Sequence, residues 1–227
     1  MKTVTAIALL FISTCLHSQQ IGQVTFSDAS NLSYIALLTD QGVLIRITTE
    51  GKLLEWGTEV QSIRSNNYYD PKLQAYPGRV DYYPPESDSA FRGKVKSIGT
   101  TIITYYSHYD EVTKVGKLKS IGNLQMDYYT NYDNAAYRGK LRFAGNAVLE
   151  YYSSLDDEAY RGKLKTISNT PITYYSTFDD KLIKGKIKSI GSVAYTWYTS
   201  YDKSELAGAL KTGSYRVSVG SITYILR

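Results

Sequence analysis

Histidine and cysteine are nearly absent: the 227 residues hold two histidines, His17 and His108, and one cysteine, Cys15. A single thiol forms no disulfide within the chain, and so few soft ligands build no Cys/His cluster for zinc. Scarcity of imidazole also excludes most triad and acid–base chemistry, leaving carboxylates and lysines as the only abundant proton carriers. The chain carries no Gly-x-Ser-x-Gly elbow, phosphate loop or metal-binding motif. Helical periodicity is missing as well. The apolar run around Ala6–Ile12 is shorter than the roughly 20 residues that a membrane-spanning helix needs.

That run nevertheless predicts a destination. One positive charge at Lys2, a short uncharged stretch and a small residue at Ser18 match a secretory signal peptide over residues 1–18, with the mature chain starting near Gln19. The alternative is a lipoprotein, with Ile12-Ser13-Thr14-Cys15 as the attachment box and Cys15 as the anchor. Either route implies export to the periplasm, the cell surface or the medium, with no transmembrane segment after cleavage. A net charge of +5, from 26 basic and 21 acidic residues, is small for a nucleic-acid surface, and none is expected as a partner.

What the chain has in abundance is a repeat. A word related to Gly-Lys-Leu-Lys-Ser-Ile-Gly starts at Gly93, Gly116, Gly139, Gly162, Gly185 and Gly208, always 23 residues apart. Tandem aromatics keep step at Tyr82-Tyr83, Tyr105-Tyr106, Tyr128-Tyr129, Tyr151-Tyr152, Tyr174-Tyr175 and Trp197-Tyr198, and an Asp follows at Asp110, Asp133, Asp156, Asp179 and Asp202. Self-similarity at such a period marks a repeat architecture. Ile103, Tyr105 and their equivalents alternate with polar residues, which predicts a half-buried strand whose first tyrosine faces inward and whose second faces water. The same alternation puts Tyr109, Tyr132, Leu155, Phe178 and Tyr201 on the apolar side. In the first half of each unit, pairs such as Leu118 and Ile121 are three apart, off the strand period; either a bulge or burial of both faces reconciles them. Glycines at Gly99, Gly122, Gly145 and Gly191 suggest a hairpin turn between the halves.

The fold expected is all-β: an antiparallel meander of stacked 23-residue hairpins forming an elongated, twisted sheet, with a β-solenoid as the alternative. Charge favours the meander. In a solenoid Lys94, Lys117, Lys140, Lys163 and Lys186 would stack at about 4.8 Å, and like charges directly opposite are destabilising. The organisation expected is a signal peptide (1–18), an N-terminal β cap (19–65), the repeats (66–213) and C-terminal cap strands (214–227). In the N-terminal segment, Gly42 and Gly51 end two polar connectors between three strand-like runs.

The run of Tyr-Asp, Gly-Lys-Leu and a later Tyr-Tyr resembles the YD repeats of RHS-type proteins. The 23-residue hairpin unit is similar to MORN repeats. Gly-Lys-Leu-Lys-Ser with Tyr-Tyr looks like the words of YwqK-type repeat proteins. The resemblance spans about Tyr68 to Thr212, though the Gly-x-Trp pattern of MORN repeats is missing and the Asp133-to-Gly139 interval is longer than in YD repeats. It implies a β-hairpin scaffold for envelope, adhesion or encapsulation roles, with no catalytic residues to carry over.

The function expected is therefore an exported, non-enzymatic β-repeat scaffold or envelope interaction protein. The alternative is a carbohydrate-binding module using the second tyrosines, Tyr83, Tyr106, Tyr129, Tyr152, Tyr175 and Tyr198, as a stacking row for a polysaccharide. Those rings could instead only shield the sheet, packed on lysine stems. A carboxylate-dependent, glycan-acting enzyme ranks third, because a uniform repeat offers no irregular pocket. The Asp column reads as turn chemistry rather than a calcium site. No catalytic residue, metal site or cofactor is expected; the partner is not identified by the sequence, and a polysaccharide or another envelope protein is the class expected.

Overall fold

The computed structural model describes residues 20–59 and 72–227. The expected signal peptide, Cys15, His17 and the start of the first repeat lie outside the described residues.

The first strands are Gln20–Ser27 (β1), Asn31–Leu38 (β2), Leu44–Ile47 (β3), Leu53–Glu59 (β4) and Leu73–Ala75 (β5). The repeats supply Val80–Tyr82 (β6), Val95–Ile98 (β7), Thr101–Tyr105 (β8), Leu118–Ile121 (β9), Leu124–Tyr128 (β10), Leu141–Ala144 (β11), Ala147–Tyr151 (β12), Leu164–Ile167 (β13), Thr170–Tyr174 (β14), Ile187–Ile190 (β15) and Val193–Ala194 (β16). Thr196–Trp197 (β17), Leu210–Thr212 (β18), Arg216–Val219 (β19) and Ile222–Leu226 (β20) complete the chain. Strands β6 to β16 form one 11-stranded sheet in strict sequence order, an open antiparallel meander. β17 and β18 form a separate pair.

The two segments read as caps come together. β1 runs parallel to β20, from Gln23 opposite Thr223 to Phe26 opposite Leu226, giving a seven-stranded sheet of order β19-β20-β1-β2-β3-β4-β5. Strand β1 is the link: its Val24 and Phe26 are fully buried. Gly42 and Gly51 end their connectors at φ of 73° and 75°, as their positions suggested.

The two sheets share a single apolar core, in which Ile35, Leu37, Ile45 and Ile47 meet Ile103, Leu118, Leu141 and Ile187. Each such side chain contributes about 1.5–3 kcal/mol when fully buried. Loops of the smaller sheet are also stitched to the repeats. Leu118 N–H donates to Gly51 O at 3.1 Å, Leu141 N–H to Thr49 O at 2.7 Å and Ile187 N–H to Ala29 O at 2.8 Å.

A bulge resolves the off-period residues. Thr104 pairs with Ser120 but Tyr105 pairs with Leu118, so Lys119 is the extra residue. The same slip recurs beside Tyr82, Tyr128, Tyr151, Tyr174 and Trp197. A bulged strand gains one residue against its partner, and Leu118 and Ile121 both reach the core, at 0% and 1% exposure. Between units, Tyr106 N–H donates to Lys117 O and Gly116 N–H to Tyr106 O, both at 2.9 Å, which closes the loop at its base. The glycine there is obligatory: Gly162 sits at φ +72°, and a Cβ would lie 2.6 Å from Ala136 O. In the one unit without a hairpin glycine, Ser168 and Asn169 take φ of 45° and 67°, which suits a type I′ turn.

Candidate functional site

Register along the meander decides which aromatics are free. The first members of the tandem pairs, Tyr105, Tyr128, Tyr151, Tyr174 and Trp197, are buried, at 8% exposure or less. Tyr128 Oη donates to Leu118 O at 2.7 Å, Tyr151 Oη to Leu141 O at 3.0 Å and Tyr174 Oη to Leu164 O at 2.9 Å; Trp197 Nε1 donates to Ile187 O at 2.8 Å.

The second members, Tyr83, Tyr106, Tyr129, Tyr152, Tyr175 and Tyr198, are half-buried. Tyr83 Oη donates to Ile103 O, Tyr106 to Met126 O, Tyr129 to Leu149 O, Tyr152 to Ile172 O and Tyr175 to Tyr195 O, all at 2.8–3.0 Å. Each acceptor belongs to the following unit. The Tyr129 ring meets Tyr151 edge-on at 6.0 Å and packs against Tyr137 at 4.6 Å, while Arg142 lies 5.7 Å from its centroid. Tyr152 repeats the arrangement with Tyr174, Tyr160 and Lys165. Tyr198 carries Lys211 at 5.1 Å. These rings are struts from one unit to the next, with cations from the bulge positions against them. Of the two roles open to this row, that geometry favours shielding over stacking.

The free row lies elsewhere. Tyr109, Tyr132, Leu155, Phe178 and Tyr201 are 87%, 97%, 94%, 96% and 93% exposed. Strand alternation placed them on the buried side, and the structure corrects this. The strand ends at the first tyrosine, and Ser107 or its equivalent then opens a turn. Asp110 Oδ2 accepts from Ser107 N–H at 2.6 Å and from Ser107 Oγ at 2.8 Å, while Asp110 N–H donates to Ser107 O at 3.2 Å. Thr130–Asp133, Ser153–Asp156, Ser176–Asp179 and Thr199–Asp202 repeat the same closure. A turn position of this kind favours small polar residues, yet all five units carry a large apolar side chain pointing into water. The readable signal was Ser/Thr-x-x-Asp, which marks a turn and ends the strand period.

The tips are held in a regular file. Ser154 N–H donates to Asn134 Oδ1 of the preceding unit at 3.0 Å, Thr177 Oγ1 to Asp157 Oδ2 at 2.7 Å and Ser200 N–H to Asp180 Oδ1 at 3.2 Å. Asp88 binds His108 Nδ1 at 2.6 Å at the first junction. Neighbouring tips are two strands apart, about 10 Å. The serine hydroxyl and N–H hold the carboxyl of Asp110 below the usual carboxylate range, and the same bonds hold Asp156 there. For Asp133, at the Thr130 turn, the backbone N–H leads and the hydroxyl adds to it. Tyr109, Tyr132 and Leu155 therefore each stand beside a carboxylate held ionised by its own turn. Only Oδ2 takes part in the turn of Asp110, Asp133, Asp156 and Asp179; among the described residues Oδ1 accepts no bond from it. No group of three or more His, Cys, Asp or Glu that could hold a metal occurs among the described residues.

The lysine column is also built in. Lys94 Nζ donates to Gly116 O, Lys140 to Gly162 O and Lys163 to Gly185 O at 2.5–2.7 Å, and Lys117 and Lys186 bond Gly139 O and Gly208 O in the same way. Burial pushes Lys163 down to about 8 and raises Tyr105, Tyr128, Tyr151 and Tyr174 above the ordinary tyrosine value. A lysine depressed in the folded state costs stability while charged, so stability rises as pH climbs from about 8 towards 10.5. A tyrosine raised in the folded state contributes stability that is complete below about 10 and lost above it. The urea midpoint is expected to rise slightly from pH 8 to about 10 and then fall steeply. A midpoint still level at pH 11 would contradict these burials.

The fold and the tip row define an open β-repeat meander backed by a second sheet and edged with apolar side chains. Comparison with protein-family models, curated proteins and solved structures finds no match for the chain.

Proposed function

We propose that this chain is an exported, non-enzymatic β-repeat scaffold that binds an extended polysaccharide along its loop tips. The observation that carries the reading is the file of five apolar side chains, each at least 87% exposed, on turns fixed by their own hydrogen bonds. Exposed apolar groups gathered on one edge mark an interaction site more often than solvated surface. Tyr, Tyr, Leu, Phe and Tyr share bulk but not a hydroxyl, so the contact is apolar. Apolar groups at intervals of about 10 Å, four of the five being flat rings, suit stacking on alternate rings of a β-linked glycan, and the Oδ1 atoms of Asp110, Asp133, Asp156 and Asp179 beside them accept sugar hydroxyls. Those same carboxylates repel an anionic lipid surface. No helix among the described residues is long and apolar enough to cross a membrane; export rests on the N-terminal sequence.

Affinity electrophoresis through gels loaded with neutral β-glucans tests the reading. Retarded migration that persists in 0.5 M salt, where a Debye length of roughly 4–5 Å removes surface charge effects, is the expected result. Unretarded migration in every polymer, or capture by vesicles instead, would overturn it.

A further inference from the structure

The array's first junction differs from all the others. Lys117 and Lys140 feel the carboxylate of Glu50, Lys186 that of Asp28, and Lys163 Nζ lies 2.5 Å from Ser30 Oγ. The smaller sheet's loops thus supply an oxygen or an anion to each of these half-buried ammonium groups. Lys94 feels Lys52 instead, a second cation that lines the same cavity. Two like charges lining one cavity, one of them half-buried, repel each other unless an anion stands between them.

A cavity of about 300 Å³ opens at this place, lined by Lys52, Leu54, Trp56, Tyr82, Lys94 and Tyr105 among others. That volume lies at the small end of ligand pockets. Its walls are unusual for this chain. Tyr82 is 55% exposed where the equivalent first aromatics of later units are at 8% or less, and Leu54 is 49% exposed beside it. The beginning of the array leaves uncovered an aromatic surface that every later unit buries.

We infer that this cavity binds a small ring compound bearing a carboxylate, with the anion between Lys52 and Lys94 and the ring against Trp56 and Tyr82. Charge-assisted bonds from two ammonium groups fix the carboxylate, and the flat walls accept either a sugar acid or an aromatic acid. The site is separate from the loop tips and does not depend on their role.

Titration of the full chain with glucuronate, benzoate, glucose and sodium sulfate, followed by the Trp56 indole N–H resonance, tests the inference. One or both ring acids are expected to shift that resonance saturably, while glucose does not and sulfate binds more weakly; which acid binds tighter identifies the ligand's source. Lys52→Glu changes an exposed residue and supplies the missing anion from the protein itself. It is expected to weaken the ring acid at least about 10-fold and to raise the melting temperature of the unliganded chain. No shift with either acid, sulfate binding as tightly as the ring acids, or unchanged affinity in Lys52→Glu would each overturn the proposal. The variant carrying Tyr132→Ser, Leu155→Ser and Phe178→Ser at the loop tips should bind the acids normally, which separates failure here from failure of the tip reading.

Discussion

Tyr128→Ala is expected to lower stability by about 3–5 kcal/mol, the usual cost of removing a large buried aromatic side chain. The ring is fully buried, and its hydroxyl satisfies Leu118 O at the strand start next to the bulge. Tyr128→Phe keeps the ring and strands that carbonyl, so it should cost only about 1 kcal/mol. The same contact can be reached from the opposite sheet. Gly51 sits at φ +75°, and a Cβ there would fall 2.2 Å from Tyr128 Oη. Gly51→Ala should therefore cost about 1–2 kcal/mol for left-handed backbone, plus about 1–3 kcal/mol for overpacking. In the double variant the overpacking vanishes with the ring. The two losses should fall short of additivity by about 1–3 kcal/mol. Urea denaturation of the four proteins measures this directly, and additivity within about 0.5 kcal/mol would mean that loop and ring do not touch.

Local patterns in the sequence reached far into this fold. A fixed 23-residue interval set the unit, alternation around Ile103 and Tyr105 set the buried face, and repulsion along the lysine column separated meander from solenoid. In the structure those lysines reach forward to glycine carbonyls 22 residues on. The bulge at Lys119 was left open because spacing alone does not distinguish an extra residue from a strand buried on both faces. Pairing of β1 with β20 joins residues some 200 positions apart in sequence, and no periodicity reports a contact of that kind.

The site was half legible. Tyr129 and its equivalents looked like a free row because alternation assigns a face, not a neighbour, and the neighbour turned out to be the next unit's Met126, Leu149 or Ile172 carbonyl. Tyr132 and its equivalents were assigned to the wrong side because period two was carried past the strand end, into a turn that Thr130 and Asp133 close.

The difference in exposure between these two columns leads to the second large effect. Tyr132→Ser, Leu155→Ser and Phe178→Ser together alter side chains at least 94% exposed, with no packing to lose. Stability should stay within about 0.5 kcal/mol per site, while apolar contact with a polymer would lose its three central rungs. Tyr129→Ser, Tyr152→Ser and Tyr175→Ser together remove three hydroxyl-to-carbonyl bonds and the ring packing between units. Each should cost roughly 1–3 kcal/mol, but the turns that carry the tips keep their own Asp closures.

The decisive measurement runs both triple variants and the parent chain through the same β-glucan affinity gels, with urea midpoints taken in parallel. The tip variant is expected to lose retention at an unchanged midpoint, and the strut variant to keep retention at a lowered midpoint while still folded. Retention lost from the strut variant but kept by the tip variant would contradict the account.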